Sequence, residues 1–156
     1  MQGEADDAGL DAEQRQLEQR HRGFGWWAVF VFALLGLLLE ALHAFKAGYL
    51  LDVQNETRRS MWTLAHAHGV LLGLTNLAMA YTVVRVPRWS RRLRRLASAS
   101  LIAATVMIPG GFWLGGLQTF AGDPGPGILL VPAGALLFLV AVFLLARSSP
   151  DRERRD

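Results

Sequence analysis

The sequence predicts an all-α polytopic membrane protein, a four-transmembrane-helix bundle with both termini on the cytoplasmic side. Three observations carry this. Of 156 residues, 52% are hydrophobic, and they fall in blocks that no ordinary soluble domain shows. Four stretches, about 24–45, 61–84, 96–120 and 127–146, each reach the roughly 20 apolar residues that cross a bilayer. Basic residues crowd between the second and third stretches and again after the fourth, and short arginine-rich loops stay cytoplasmic.

Composition excludes several classes. There is no cysteine, so disulfides, thiolate metal sites and thiol catalysis are out. The net charge of +3 is no nucleic-acid patch, because the arginines flank membrane spans. Fifteen arginines against one lysine suggest a GC-rich genome and a bacterial inner membrane. The expected organisation is a polar cytoplasmic tail over 1–22, a membrane domain over 23–147, and a second cytoplasmic tail over 148–156.

Taken in order, Met1–Arg22 reads as a solvated tail in which Asp11 caps a short surface helix, Ala12–Arg22. His21 is given no role. Span one opens on the aromatic anchor Phe24, Trp26 and Trp27. It closes on Glu40 and His43, whose i,i+3 spacing puts them on one face. Gly36 continues that face and allows a close helix approach. Loop one, Lys46–Ser60, carries Tyr49, Leu50 and Leu51 at the membrane surface and a sequon, Asn55-Glu56-Thr57, without meaning in a bacterium.

Span two begins at Trp62 and holds His66 and His68. At about 100° per residue, His66, Gly69, Gly73 and Asn76 form one small, polar stripe, and His68 points nearly opposite. Gly69-x-x-x-Gly73 predicts a packing groove. Loop two, Val86–Leu96, anchors topology through its arginines. Span three contains Pro109-Gly110-Gly111-Phe112-Trp113, a closely packed, kinked stretch in which Trp113 walls a pocket. Loop three, Ala121–Gly127, is a Gly/Pro turn, and span four is scaffold.

Ionisable groups inside a membrane span are costly and by default mark function. Glu40, His43 and His66 are expected to meet across the hairpin of spans one and two, near the outer leaflet. His43 and His66 would ligate haem or a transition metal such as copper or iron. Glu40 would ligate or orient, and His68 would ligate or contact a second subunit. The alternatives are a small isomerase in which Glu40 and His66 move protons, and a non-catalytic structural or assembly subunit. The expected partners are the lipid bilayer and further copies of the chain, or a larger membrane complex.

Two resemblances arise at span two. His66-Ala67-His68-x-x-x-Leu72-Gly73 resembles the corresponding segment of small four-span bacterial proteins related to subunit one of haem–copper oxidases. That resemblance implies haem or copper ligation by His66 and His68. Ala65-His66-x-x-Gly69-Val70-Leu71-x-Gly73 is similar to the equivalent span of hydroxylaminobenzene mutase-like proteins. That family would have Glu at position 68 and Asn at position 72, and only His66 carries over.

Overall fold

A computed structural model describes residues 2–46, 56–85 and 89–148, with the backbone alone for residues 2–11. The described residues form four α-helices: α1 (Gln2–Ala44), α2 (Glu56–Val83), α3 (Arg91–Leu117) and α4 (Leu130–Ser148). Among the described residues three stretches are long and apolar enough to cross a membrane: Ala12–Ala44, Arg91–Leu117 and Pro126–Ser148. The more polar α2, with His66, His68 and Asn76, does not reach that apolarity. Large apolar side chains cover the outer faces of α1 and α4, including Trp26, Trp27, Phe30, Leu37, Leu136 and Phe143. An apolar surface on that scale would aggregate in water and suits lipid. The fold is therefore that of a helical membrane protein.

The helices form an antiparallel succession. α1 packs chiefly on α2, α2 on α3, and α3 on α4. Close approach sets the first contact. A β-carbon on Gly25 would sit 2.8 Å from the Gly73 carbonyl oxygen, and one on Gly73 would sit 2.8 Å from the Val29 side chain. The Phe32 ring lies over Gly69. The groove expected at Gly69 and Gly73 is thus the seat of α1. At the other interface Leu72, Ala104 and Ile108 form one buried cluster with Phe112, Val131 and Phe138. A second cluster joins Leu17, Met79, Val83, Trp89, Ala97, Leu101 and Ala141.

Residues Ala12–Arg22 are not a separate surface helix. α1 runs through them without a break. The reason lies in a contact stripe of helical spacing, Glu13, Leu17, His21, Gly25, Val29, Phe32 and Gly36. Leu17 and His21 are buried. Glu13 takes Arg91 Nε at 2.8 Å and Arg95 Nε at 2.8 Å, so α1 docks on the start of α3 at Glu13, about three turns into the helix.

α3 starts at Ser90, whose extended backbone and side-chain oxygen cap the helix by accepting from Leu93 N at 3.4 Å. Arg91–Arg95, expected in a loop, are its first turns. α3 then continues unbroken through Pro109. Loop three is a small hairpin, Thr119–Phe120 paired with Asp123–Pro124. Its two turn residues, Ala121 and Gly122, have φ of 51° and 93°, the requirement of a type I′ turn. Loop-one residues 47–55, with Tyr49, Leu50, Leu51 and Asn55, and the arginines of 149–156 lie outside the described residues.

Candidate functional site

Three places hold polar or ring chemistry. The first is the hairpin end, where α2 begins and α3 finishes. Trp62 and Trp113 stack with ring centroids 4.6 Å apart and planes 19° apart. Trp62 Nε1 donates to the Trp113 carbonyl at 3.2 Å. Arg58 Nε donates to the Gly116 carbonyl at 3.1 Å. One turn further in, His66 lies against Gly36, so no larger residue fits under the ring. Its Nδ1 donates to the Phe32 carbonyl at 2.6 Å. His68 Nδ1 donates to the carbonyl of Leu64, one turn back, at 2.8 Å. Its ring tilts on Phe112 at 4.9 Å. His66 and His68 do point to different helices, as their spacing requires.

The expected shared pocket is not formed. Glu40 and His43 are exposed near the end of α1, and neither side chain makes a hydrogen bond or ion pair among the described residues. His66 and His68 spend Nδ1 on backbone carbonyls of different helices. Among the described residues no three His, Asp or Glu side chains come together to hold a metal ion. Trp113 does wall a pocket, as expected, but a different one.

That pocket is the second place. A groove of about 440 Å³ runs between α1 and α3, lined by Phe24, Trp27, Ala28, Val31, Phe32 and Leu35 on one side and Thr105, Val106, Pro109, Gly110 and Trp113 on the other. It exists because α1 leans on α2 and barely touches α3 there. A β-carbon on Gly110 would meet open space. The sole hydroxyl in the lining, Thr105 Oγ1, is spent: it donates to the Leu101 carbonyl at 2.8 Å and accepts from Asn76 Nδ2 at 2.8 Å.

The third place is a buried polar chain near the arginine-rich end. His21 is 0% exposed. Its Nδ1 donates to Asn76 Oδ1 at 2.7 Å, and its Nε2 accepts from the Ser98 hydroxyl at 2.8 Å. Asn76 Nδ2 donates to Thr105 Oγ1 and to the Leu72 carbonyl, each at 2.8 Å. A neutral imidazole satisfies every member. The chain runs Ser98, His21, Asn76, Thr105 and stops at the Leu101 carbonyl, which cannot pass a proton on. It is a three-helix clasp, not a relay. Sequence reasoning missed His21. The signal was its place four residues before Gly25 and four after Leu17, on the stripe that faces α2.

Beside the clasp, Glu13 Oε1 and Oε2 receive Arg95 in fork geometry at 2.8 and 3.1 Å. Hydrogen bonding from Arg95, with the charges of Arg95, Arg91 and Arg94, holds the Glu13 carboxyl below its ordinary value, against the opposing cost of burial.

No family model, no curated protein and no solved structure matches this chain. Nothing in these comparisons links it to haem–copper oxidase subunits or to mutases.

Proposed function

We propose that this chain is a four-span inner-membrane protein with both termini cytoplasmic, and that it binds a lipid-soluble, largely apolar ligand in the groove between α1 and α3. It acts as a binding module. Four spans are supported by the antiparallel seat of α2 between α1 and α3, two helices apolar enough to cross. A helix packed along both must share their depth. The orientation rests on the arginines at 85–95 and 147–155.

The observation that carries the ligand reading is the groove itself. Its walls come from two apolar helices, so what reaches it is the bilayer and its solutes. Its walls are almost wholly apolar and its one hydroxyl among the described lining residues is already bonded, so it favours an apolar ligand over a water-soluble substrate. An acyl or isoprenoid chain has the matching chemistry. A photoactivatable fatty-acyl probe should label residues 24–35 and 105–113 in preference to the outer face of α4. Gly110→Leu, whose β-carbon would meet open space in the groove, should cut that labelling several-fold and leave the fold intact. Even labelling of every exposed apolar face would defeat the reading.

A second reading, haem or a copper or iron ion on His66, has one observation in its favour. The bond from Nδ1 to Phe32 leaves Nε2 as the ligating nitrogen. Among the described residues of one chain no three His, Asp or Glu side chains group to hold a metal ion, so the remaining ligands would come from a second copy. An optical spectrum of purified protein beside His66→Ala tests this: a Soret band lost on substitution supports it, and no band with no metal by mass spectrometry removes it. The isomerase reading lacks a comparable observation, because Glu40 and His66 share no hydrogen bond.

A further inference from the structure

A second cavity lies between α1 and α3, nearer the arginine-rich end. It holds about 340 Å³, and its polar lining is Glu13, Gln16, Arg20, Arg95 and Ser98. The apolar groove of about 440 Å³ lies between the same two helices. The two cavities share one face of each helix. On α1 that face runs Gln16, Arg20, Phe24, Trp27 and Val31, all within about 80° at 100° per residue. On α3 it runs Arg95, Ala99, Val106, Gly110 and Trp113, all within about 60°. At 1.5 Å per residue, Arg20 stands about 6 Å along α1 from Phe24, and Ala99 about 10 Å along α3 from Val106. His21 turns off this face toward α2, bonded to Asn76 and Ser98, and floors the seam. The polar cavity therefore continues the line of the apolar one.

Its charge is not cancelled within the protein. Glu13 is the acid of the lining, and it is held by Arg91 and by Arg95 Nε and Nη2. Gln16 and Arg20 are exposed, and neither side chain makes a hydrogen bond or ion pair among the described residues. What faces the cavity is thus a cationic wall with unspent donors. A guanidinium matches phosphate oxygens in shape and charge. A lone carboxylate would leave most of 340 Å³ empty, whereas a phosphoglycerol head is larger and carries the same sign.

We propose that the two cavities form one site for a phosphate-bearing lipid, its phosphoglycerol head against Arg20 and Gln16 and an acyl chain in the groove. This rests on the reading of the groove as an apolar ligand site and adds the head that selects the ligand. The head enters from the water side through exposed residues, and the chain stays in the bilayer.

The test exposes the full chain in neutral detergent to two photoactivatable lipids with identical acyl chains, phosphatidylglycerol and diacylglycerol. Labelling of residues 24–35 and 105–113 is read by mass spectrometry on wild type, Arg20→Gln, Arg92→Gln and Gly110→Leu. Phosphatidylglycerol should label the wild-type groove about fivefold more than diacylglycerol. Arg20→Gln should abolish that preference. Arg92 is exposed and outside the cavity, so Arg92→Gln should stay within about twofold. Gly110→Leu should cut both lipids alike, because its β-carbon points into the chain's space. Equal labelling by the two lipids, a preference that survives Arg20→Gln, or an equal loss at Arg92 overturns the head site and leaves the apolar groove standing. Phosphatidylglycerol labelling untouched by Gly110→Leu places the chain elsewhere and overturns the joint site. No groove labelling by either lipid removes both readings.

Discussion

The two ends of the bundle treat histidine in opposite ways. At the arginine-rich end, His21 spends both ring nitrogens on side chains from two other helices. At the hairpin end, His66 and His68 each spend one nitrogen on a backbone carbonyl, and His68 does so within its own helix. The first arrangement ties α1, α2 and α3 into one unit whose members have no substitute partners. The second leans a ring on a carbonyl that is already part of a helix ladder. Polar groups buried together specify packing strongly when all are satisfied, and they are costly when one is removed. The histidine nearest the chain's polar start is thus the one that holds the bundle, while those inside the apolar stretch sit lightly.

The contrast is broken most directly by His21→Ala, which strands Asn76 Oδ1 and the Ser98 hydroxyl and opens a hole. We expect a loss of about 3 kcal/mol in reversible unfolding by a denaturing detergent. His21→Ala that unfolds like the wild type would end the clasp reading. Gly73→Ala comes next. Its new methyl meets Val29, side chain and backbone, at 2.8 and 2.9 Å, and the cost should be about 2 kcal/mol by the same titration. At the hairpin end Ala121→Gly should stabilise by about 1 kcal/mol, because Ala121 sits at positive φ; thermal melts would read it. His66→Ala should cost only about 0.6 kcal/mol, the average for an interhelical bond in a membrane. Equal costs for His66→Ala and His21→Ala would erase the difference between the ends.

The smallest effect is pH-dependent and confined to the arginine-rich end. The Glu13 carboxyl is held below its ordinary value by Arg95 and Arg91. Its contribution to stability is therefore complete above the ordinary carboxylate value and is lost as pH falls through the lowered one. Glu13→Gln should flatten that acid limb of a stability–pH curve.

Much of the fold was legible in the sequence. The four helical blocks follow from apolar run length, and the α1–α2 seam from Gly36, Gly69 and Gly73. The site was less so. Glu40 and His43 share a face by their spacing, but spacing does not say that the face stays covered to the end of a helix, and in the last turns of α1 it does not. The polar composition of Met1–Arg22 concealed the stripe through Glu13, Leu17 and His21. Ser98, Asn76 and Thr105 become one chain only when three helices are brought together, which no single-helix periodicity reports. The groove arises from a gap between helices, and a gap has no residue of its own to announce it.

The order of packing has a consequence for biogenesis. Each helix rests mainly on the one made just before it, and α1 and α4 meet little if at all. Nothing synthesised late has to be threaded back to something synthesised early, apart from the docking of α1 on the head of α3. The nascent chain can settle hairpin by hairpin as it leaves the insertion machinery, with short-range contacts made first.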